Sequence, residues 1–218
     1  MDTQTKKTLS PAKPERRRRT RRGEETRRAL ITAAVDCLSR TGYAATSVEA
    51  VMAAAGVSRG SVLNLFPTRL ALMSAAADAA MRAMVADTQA RYASISDPAV
   101  KYRAMCDLFW DTQNIPESAA ITEVLLAARW DAALAAELRP IAQRIEIAID
   151  RDIADIAAAA GAKDVTACIV HARILILSLR GITIELMYDP ARDIIHRALD
   201  RIRAEHQAHC DEMGIPAR

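Results

Sequence analysis

From Glu24 onward, apolar residues recur at intervals of three and four. Leu30, Ala33, Ala34, Cys37 and Leu38 share one side of a helix, and Gly42 stands where that helix would stop. Thr46 or Ser47 can cap a second helix whose Val48, Val51, Met52 and Ala55 form one face, and Gly56 offers the left-handed conformation that ends it. Only Val57 separates Gly56 from a further cap, Ser58. The spacing then predicts a third, short helix over 59–65, with Val62, Leu65 and Phe66 turned inward and Arg59, Gly60, Leu63 and Asn64 on the opposite side. Pro67 and Thr68 restart the chain. Long helical patterns follow, enough for five or six more helices, with breaks expected near 96–98, 115–117, Asp131, 161–164 and 189–190. Pro140 lies inside a helical pattern and is expected to start a helix or kink one.

Composition strengthens the helical reading: 51% of residues are apolar but only 4% aromatic, and alanine, which gives up no side-chain entropy in a helix, recurs throughout. The expected fold class is all-α. The net charge of +3 is unevenly placed, because residues 1–28 hold 11 Lys and Arg against 4 Asp and Glu, whereas the remainder is acidic. A basic end on an acidic body points to a polyanion met by one end of the molecule, nucleic acid or an anionic membrane surface. Residues 1–23 have two prolines, almost nothing apolar, and Arg16, Arg17, Arg18, Arg19, Arg21 and Arg22, and are expected to be a disordered basic arm that tracks phosphates or a minor groove. A nuclear-import signal is the alternative reading of the same run.

Cys37, Cys106, Cys168 and Cys210 lie far apart with no CxxC pair, and no signal-peptide core follows the N-terminal charges, so the reduced cytoplasm is the expected compartment. The most apolar stretch, 172–187, is interrupted by Arg173, Arg180 and Glu185, which argues against a membrane span and for no membrane partner.

Two short helices around a tight glycine turn have the organisation of a helix-turn-helix, in which the first braces the second in the major groove. Gly56 allows the turn, Val57 fills the angle, Ser58 caps the third helix, and Gly60 lets backbone approach a phosphate. Arg59 and Asn64 are suited to base edges. Any two-helix corner of an α protein can contain a glycine and a serine cap, so this motif alone leaves both readings open. Thr26 to Leu72, however, resembles the DNA-binding domain of the tetracycline-repressor (TetR) family without a gap. The likeness runs through Thr26-Arg27, Gly42-Tyr43, Thr46 to Val48, Ala55 to Ser58, Gly60, Phe66 and Leu72. It implies a helix-turn-helix domain over 24–70 and a divergent ligand-binding and dimerising domain over 71–218. It also implies phosphate or backbone contacts from Thr26, Thr46 or Ser47, Ser58, Ser61 and Arg69. Leu63 departs from the tyrosine usual in the family, so it would touch a thymine methyl rather than donate to a phosphate. Met52 replaces a small alanine, and Arg69 stands in the place of a lysine.

Under that resemblance the chain is expected to be a homodimeric transcriptional regulator, a repressor, bound to a near-palindromic double-stranded operator and released by an amphiphilic or aromatic small molecule. The alternatives are an activator or DNA organiser of the same fold, or an enzyme with an accessory DNA-binding domain. Against an enzyme, residues 70–218 contain no Gly-rich phosphate loop, HExxH, nucleophile elbow or paired catalytic carboxylates, and no cofactor is implied. Cys168 and His171 share a helical face, but with no further Cys/His pair nearby they read as core rather than metal ligands. Met105, Phe109, Trp110, Glu123, Trp130, His171 and Arg180 are the candidate lining of a ligand cavity. A dimer face is expected from Val165, Ile169, Ala172, Ile176 and Leu179 on one helix and Ile194, Ile195, Ala198, Leu199 and Ile202 on the next.

Overall fold

The computed structural model describes the backbone of residues 14–217 and the side chains of residues 21–217. These residues form helices only: α1 (Pro14–Ala45), α2 (Val48–Ala55), α3 (Arg59–Leu65), α4 (Arg69–Ala93), α5 (Pro98–Arg103), α6 (Met105–Gln113), α7 (Pro116–Ala128), α8 (Ala132–Ala159), α9 (Val165–Tyr188) and α10 (Asp193–Glu212).

Helix α1 begins ten residues before the expected start at Glu24, so the arm expected to be disordered over 1–23 is helical from Pro14. Its residues 1–13 lie outside the described residues. Arginine and glutamate are good helix formers, and a helix nucleated on the apolar face of Leu30, Ala34 and Leu38 propagates backwards through them. An exposed ion pair between Arg21 and Glu25, at 3.0 Å, lies along this extension. The expected stop at Gly42 is where the backbone leaves the helix, at φ 78° and ψ 170°. Ser47 caps α2 by accepting from the Ala50 amide, and Gly56 ends it in the left-handed conformation, φ 63°. There the Val57 amide donates to the Met52 carbonyl, closing the turn that joins α2 to α3.

After Pro67 there are seven helices among the described residues, not five or six. The unanticipated boundary is Ala104, between α5 and α6, which no glycine or proline marks. Pro140, expected to start or kink a helix, sits inside the continuous α8, whose N-cap is Asp131.

The helices enclose two apolar clusters. The first joins Leu30, Ala34 and Leu38 of α1, Val51, Val62 and Phe66 to Leu72, Met73 and Ala77 of α4, Ile121 and Val124 of α7, and Leu134 and Leu138 of α8. The helix-turn-helix therefore rests on a core continuous with the larger helical body. The second gathers Tyr102, Met105, Cys106 and Phe109 with Ile153, Cys168, Leu175, Leu179, Leu199 and Cys210.

Helix α9 is long and apolar enough, by length and composition, to cross a membrane, with a window of mean hydropathy 1.7. The interrupting charges expected to prevent this are spaced too widely to do so. In the fold α9 packs on α6, α8 and α10, burying Cys168, Ala172, Leu175, Leu179 and Ile182.

Candidate nucleic-acid interface and internal cavity

The short α3 is anchored by one fully buried side chain, Val62, followed by the buried Phe66. Fixing these two turns Ser58, Arg59, Gly60, Leu63 and Asn64 outward, all exposed, Leu63 at 51%. This is the polar and apolar mixture that major-groove edges require. Ser58 occupies the N-cap position without a side-chain capping bond, because its hydroxyl lies 3.0 Å from that of Ser61.

Three residues expected near the DNA backbone have structural tasks instead. Thr46 is fully buried and donates to the Gly42 carbonyl at 2.7 Å. Thr26, expected at a helix start, lies within α1 and donates back to the Arg22 carbonyl. Arg69, expected at a phosphate, donates through Nε to the Thr46 carbonyl at 3.0 Å and through Nη2 to the Tyr43 carbonyl, while its guanidinium covers the Tyr43 ring. It joins the first residue of α4 to the turn before α2. Arg16, Arg17, Arg18 and Arg19 fall in the first turns of α1, and of the arm's later arginines Arg21 and Arg22 are exposed.

Between the two apolar clusters lies a cavity of about 430 Å³, within the range of small-molecule sites. Met81, Met84 and Tyr92 of α4, Phe109 and Thr112 of α6, Ile121 of α7, Ile149 and Ile153 of α8, and Ile176 and Arg180 of α9 line it. Thr112 donates to Asp87 at 3.0 Å, and the Arg91 guanidinium bonded to Asp87 at 2.7 Å holds that carboxyl below its ordinary range.

Residues 30–76 match the bacterial regulatory proteins of the tetR family. That match is confined to the N-terminal part of the chain, which resembles the DNA-binding domain of this family. In the chain, 62 residues are 45% identical to the HTH-type transcriptional regulator CymR of Pseudomonas putida, a match that spans 28% of this chain and 30% of that regulator's length. The whole fold is shared with solved structures. A TetR-family regulator from Cytophaga hutchinsonii superposes with a TM-score of 0.68 at 15% identity, over 90% of this chain and 98% of that one. A transcriptional regulator from Rhodococcus gives 0.66 at 19%, over 84% and 96%. The multidrug binding protein EbrR, complexed with imidazole, gives 0.55 at 24%, over 89% and 92%.

The expected cavity residues do not converge. Phe109 and Arg180 line the cavity; the other five do not. Met105 is fully buried in the second core. Trp110 borders a separate depression beside Leu186 and Met187. Trp130 is 86% exposed, next to the Arg129 guanidinium. Glu123 reaches α1, accepting from the Tyr43 amide at 3.1 Å. His171 stacks on His209 at 3.9 Å and lies 3.1 Å from His206 Nδ1. Because the Tyr102 carbonyl, 3.0 Å from His206 Nε2, can only accept, the neutral His206 carries its proton on Nε2 and accepts a hydrogen bond at Nδ1 from the Nε2–H of His171. Cys168 is buried in the second core. Composition marked the right body of helices but gave no phase, so Thr88, Tyr92 and Gln113 went unrecognised. The signal available on α4 was the spacing of Met81, Met84, Thr88 and Tyr92, three or four residues apart and so on one helical face.

The expected dimer face is likewise out of phase. Ala172, Leu179 and Leu199 are buried in the protomer, Ile176 lines the cavity, and Ile169, Ile195 and Ile202 pack on the second core, with Val165 half-buried. Helix α9 instead exposes Val170 and Ile174, each at 55%, and Leu177, whereas on α10 two of the expected residues, Ile194 and Ala198, are exposed.

Proposed function

We propose that this protein is a cytoplasmic, homodimeric transcriptional repressor that binds a near-palindromic operator through α3 and releases it when a small molecule occupies the cavity. The observation that carries the reading is the path of α4. Its first residue, Arg69, is bonded to the turn that positions α2, and twelve to twenty-three residues further on Met81, Met84, Thr88 and Tyr92 form cavity wall. A ligand that moves α4 by displacing those side chains also moves the brace of the helix-turn-helix. Helix α7 supplies a second route, since Ile121 and Leu125 line the cavity while Glu123 holds Tyr43. A coupling of about 1–3 kcal/mol between the sites corresponds to roughly 5- to 150-fold in operator affinity.

Two α3 helices must enter successive major grooves about 34 Å apart, which one chain cannot do. The exposed apolar residues of α9 and α10, Val170, Ile174, Leu177, Ile194 and Ala198, are the surface for a two-fold four-helix contact. Arg59 and Asn64 read base edges. The test is operator affinity across single-base variants of the site: Arg59→Ala relaxes preference at one position by about 1–3 kcal/mol. A uniform loss across all variants contradicts base reading by Arg59. Unchanged operator affinity in the presence of every compound shown to occupy the cavity contradicts the sensing role.

A further inference from the structure

The cavity contains two polar groups that the fold leaves unmatched. Arg180, half-buried on α9, lines it and makes no hydrogen bond or ion pair with a described residue. The acid that acts on it, Glu146, is solvent-exposed and beyond ion-pair distance. The Tyr92 hydroxyl, on a side chain 9% exposed, lines the same cavity and has no hydrogen-bond partner. Of the other charged groups of the wall, Arg173 donates to Asp150 at 2.8 Å and to the Glu146 carbonyl at 2.7 Å, and Asp152 accepts from Gln89 at 2.8 Å. Glu146 also borders the cavity but is exposed to solvent, so Arg180 is the half-buried charge of the wall without a bonded partner among the described residues. Arg180 lines the space from α9 and Tyr92 from near the end of α4, so a ligand that meets both must span between these two helices. Met81, Met84, Ile149 and Ile153 line the space as well.

A half-buried guanidinium without a bonded counter-charge and a buried hydroxyl without a partner are both unfavourable, and a ligand that supplies both partners removes both defects. We propose that the cavity binds an elongated apolar monocarboxylate, its carboxylate on the Arg180 guanidinium and a polar group at its far end on the Tyr92 hydroxyl. The planar guanidinium matches a carboxylate with two parallel hydrogen bonds, which an alcohol cannot reproduce and an ammonium opposes. That such a ligand is the effector rests on the regulatory reading above; that it binds does not.

The experiment is calorimetric titration of the full chain, without DNA, with four ten-carbon probes: decanoate, 1-decanol, decylammonium and 10-hydroxydecanoate. Decanoate binds at least about tenfold more tightly than the alcohol or the ammonium, and 10-hydroxydecanoate about threefold more tightly than decanoate. Arg180→Met removes the preference for decanoate over decanol, Arg180→Lys restores part of it, and Tyr92→Phe removes the gain from the terminal hydroxyl. Equal binding of decanoate and decanol, tightest binding of decylammonium, or no binding of decanoate at millimolar concentration overturns the proposal. Absence of the hydroxyl gain in the unmodified protein overturns the Tyr92 assignment. The comparison among probes needs no variant, so an unstable substitution leaves the test intact. Selective decanoate binding with unchanged operator affinity would leave the ligand class standing and strike the regulatory reading instead.

Discussion

Arg69 shows how one side chain can carry a structural task where its position in the sequence implied a phosphate contact. Two of its donors are used by the Tyr43 and Thr46 carbonyls, so Arg69→Ala is expected to lower stability by about 1.5–3 kcal/mol, the range for a hydrogen bond to a charged group. Chemical denaturation measures this, and the salt dependence of DNA binding by the folded fraction should stay unchanged; a flatter slope would restore the phosphate role. The three stacked histidines give a second prediction. Burial, then His209 and His206, push His171 down to about 4, and burial lowers His206 and His209 as well. The folded protein keeps these rings neutral where the unfolded chain protonates them, so their contribution is complete above about 6.5 and is lost as pH falls from 6.5 toward 4. Thermal midpoints between pH 7 and 5 should fall, and less steeply in His171→Phe; equal slopes would contradict the assignment. The outward placement of Arg59 and Asn64 was legible from their position after a glycine turn and a cap. That of Tyr92 and Gln113 was not, because only tertiary packing decides which polar residue faces a cavity.

At the level of the element, legibility followed contrast. Helices α1 to α3 alternate sharply between apolar and polar positions and carry Gly42, Gly56, Ser47 and Ser58 at their ends, so both the elements and the outward face of α3 were readable. Helix α9 has little contrast, being apolar nearly all round, and a stripe chosen from it had no physical reason to be the right one. Coordinates supply the phase, and with it a sharper expectation. Ile174→Glu places a charge on the exposed side of α9 without entering either core. Sedimentation equilibrium at micromolar concentration should then find monomers, with operator affinity reduced, whereas a variant that remains dimeric would move the contact elsewhere. The break at Gly42 illustrates a different constraint. Its φ of +78° suits glycine, and a Cβ there would stand 2.8 Å from a Glu123 carboxylate oxygen. Any other residue there would strain the left-handed backbone and push aside the Glu123 carboxylate that bonds the Tyr43 amide.

Across the whole molecule the charge asymmetry of the sequence becomes a spatial one, with the basic first turns of α1 continuing into the helix that also supports α2 and α3. Deleting residues 1–22 is expected to weaken operator binding and flatten its salt dependence, by about 0.9 in the logarithmic slope for each phosphate contact removed. An unchanged slope would mean that these arginines take no part in binding. The larger consequence comes from where the cavity lies. It is bounded by side chains at the margins of two apolar clusters, each held together largely by residues that do not touch it: Leu30, Leu38 and Val51 in one, Cys168, Leu199 and Cys210 in the other. Exchanging Met84 or Ile149 for a larger or smaller side chain therefore reshapes the chamber while most of the cohesion of both halves persists. Under the sensing role proposed above, a lineage of such proteins would drift from one chemical signal to another through many single, individually viable steps, keeping its grip on DNA while its vocabulary of small molecules changes.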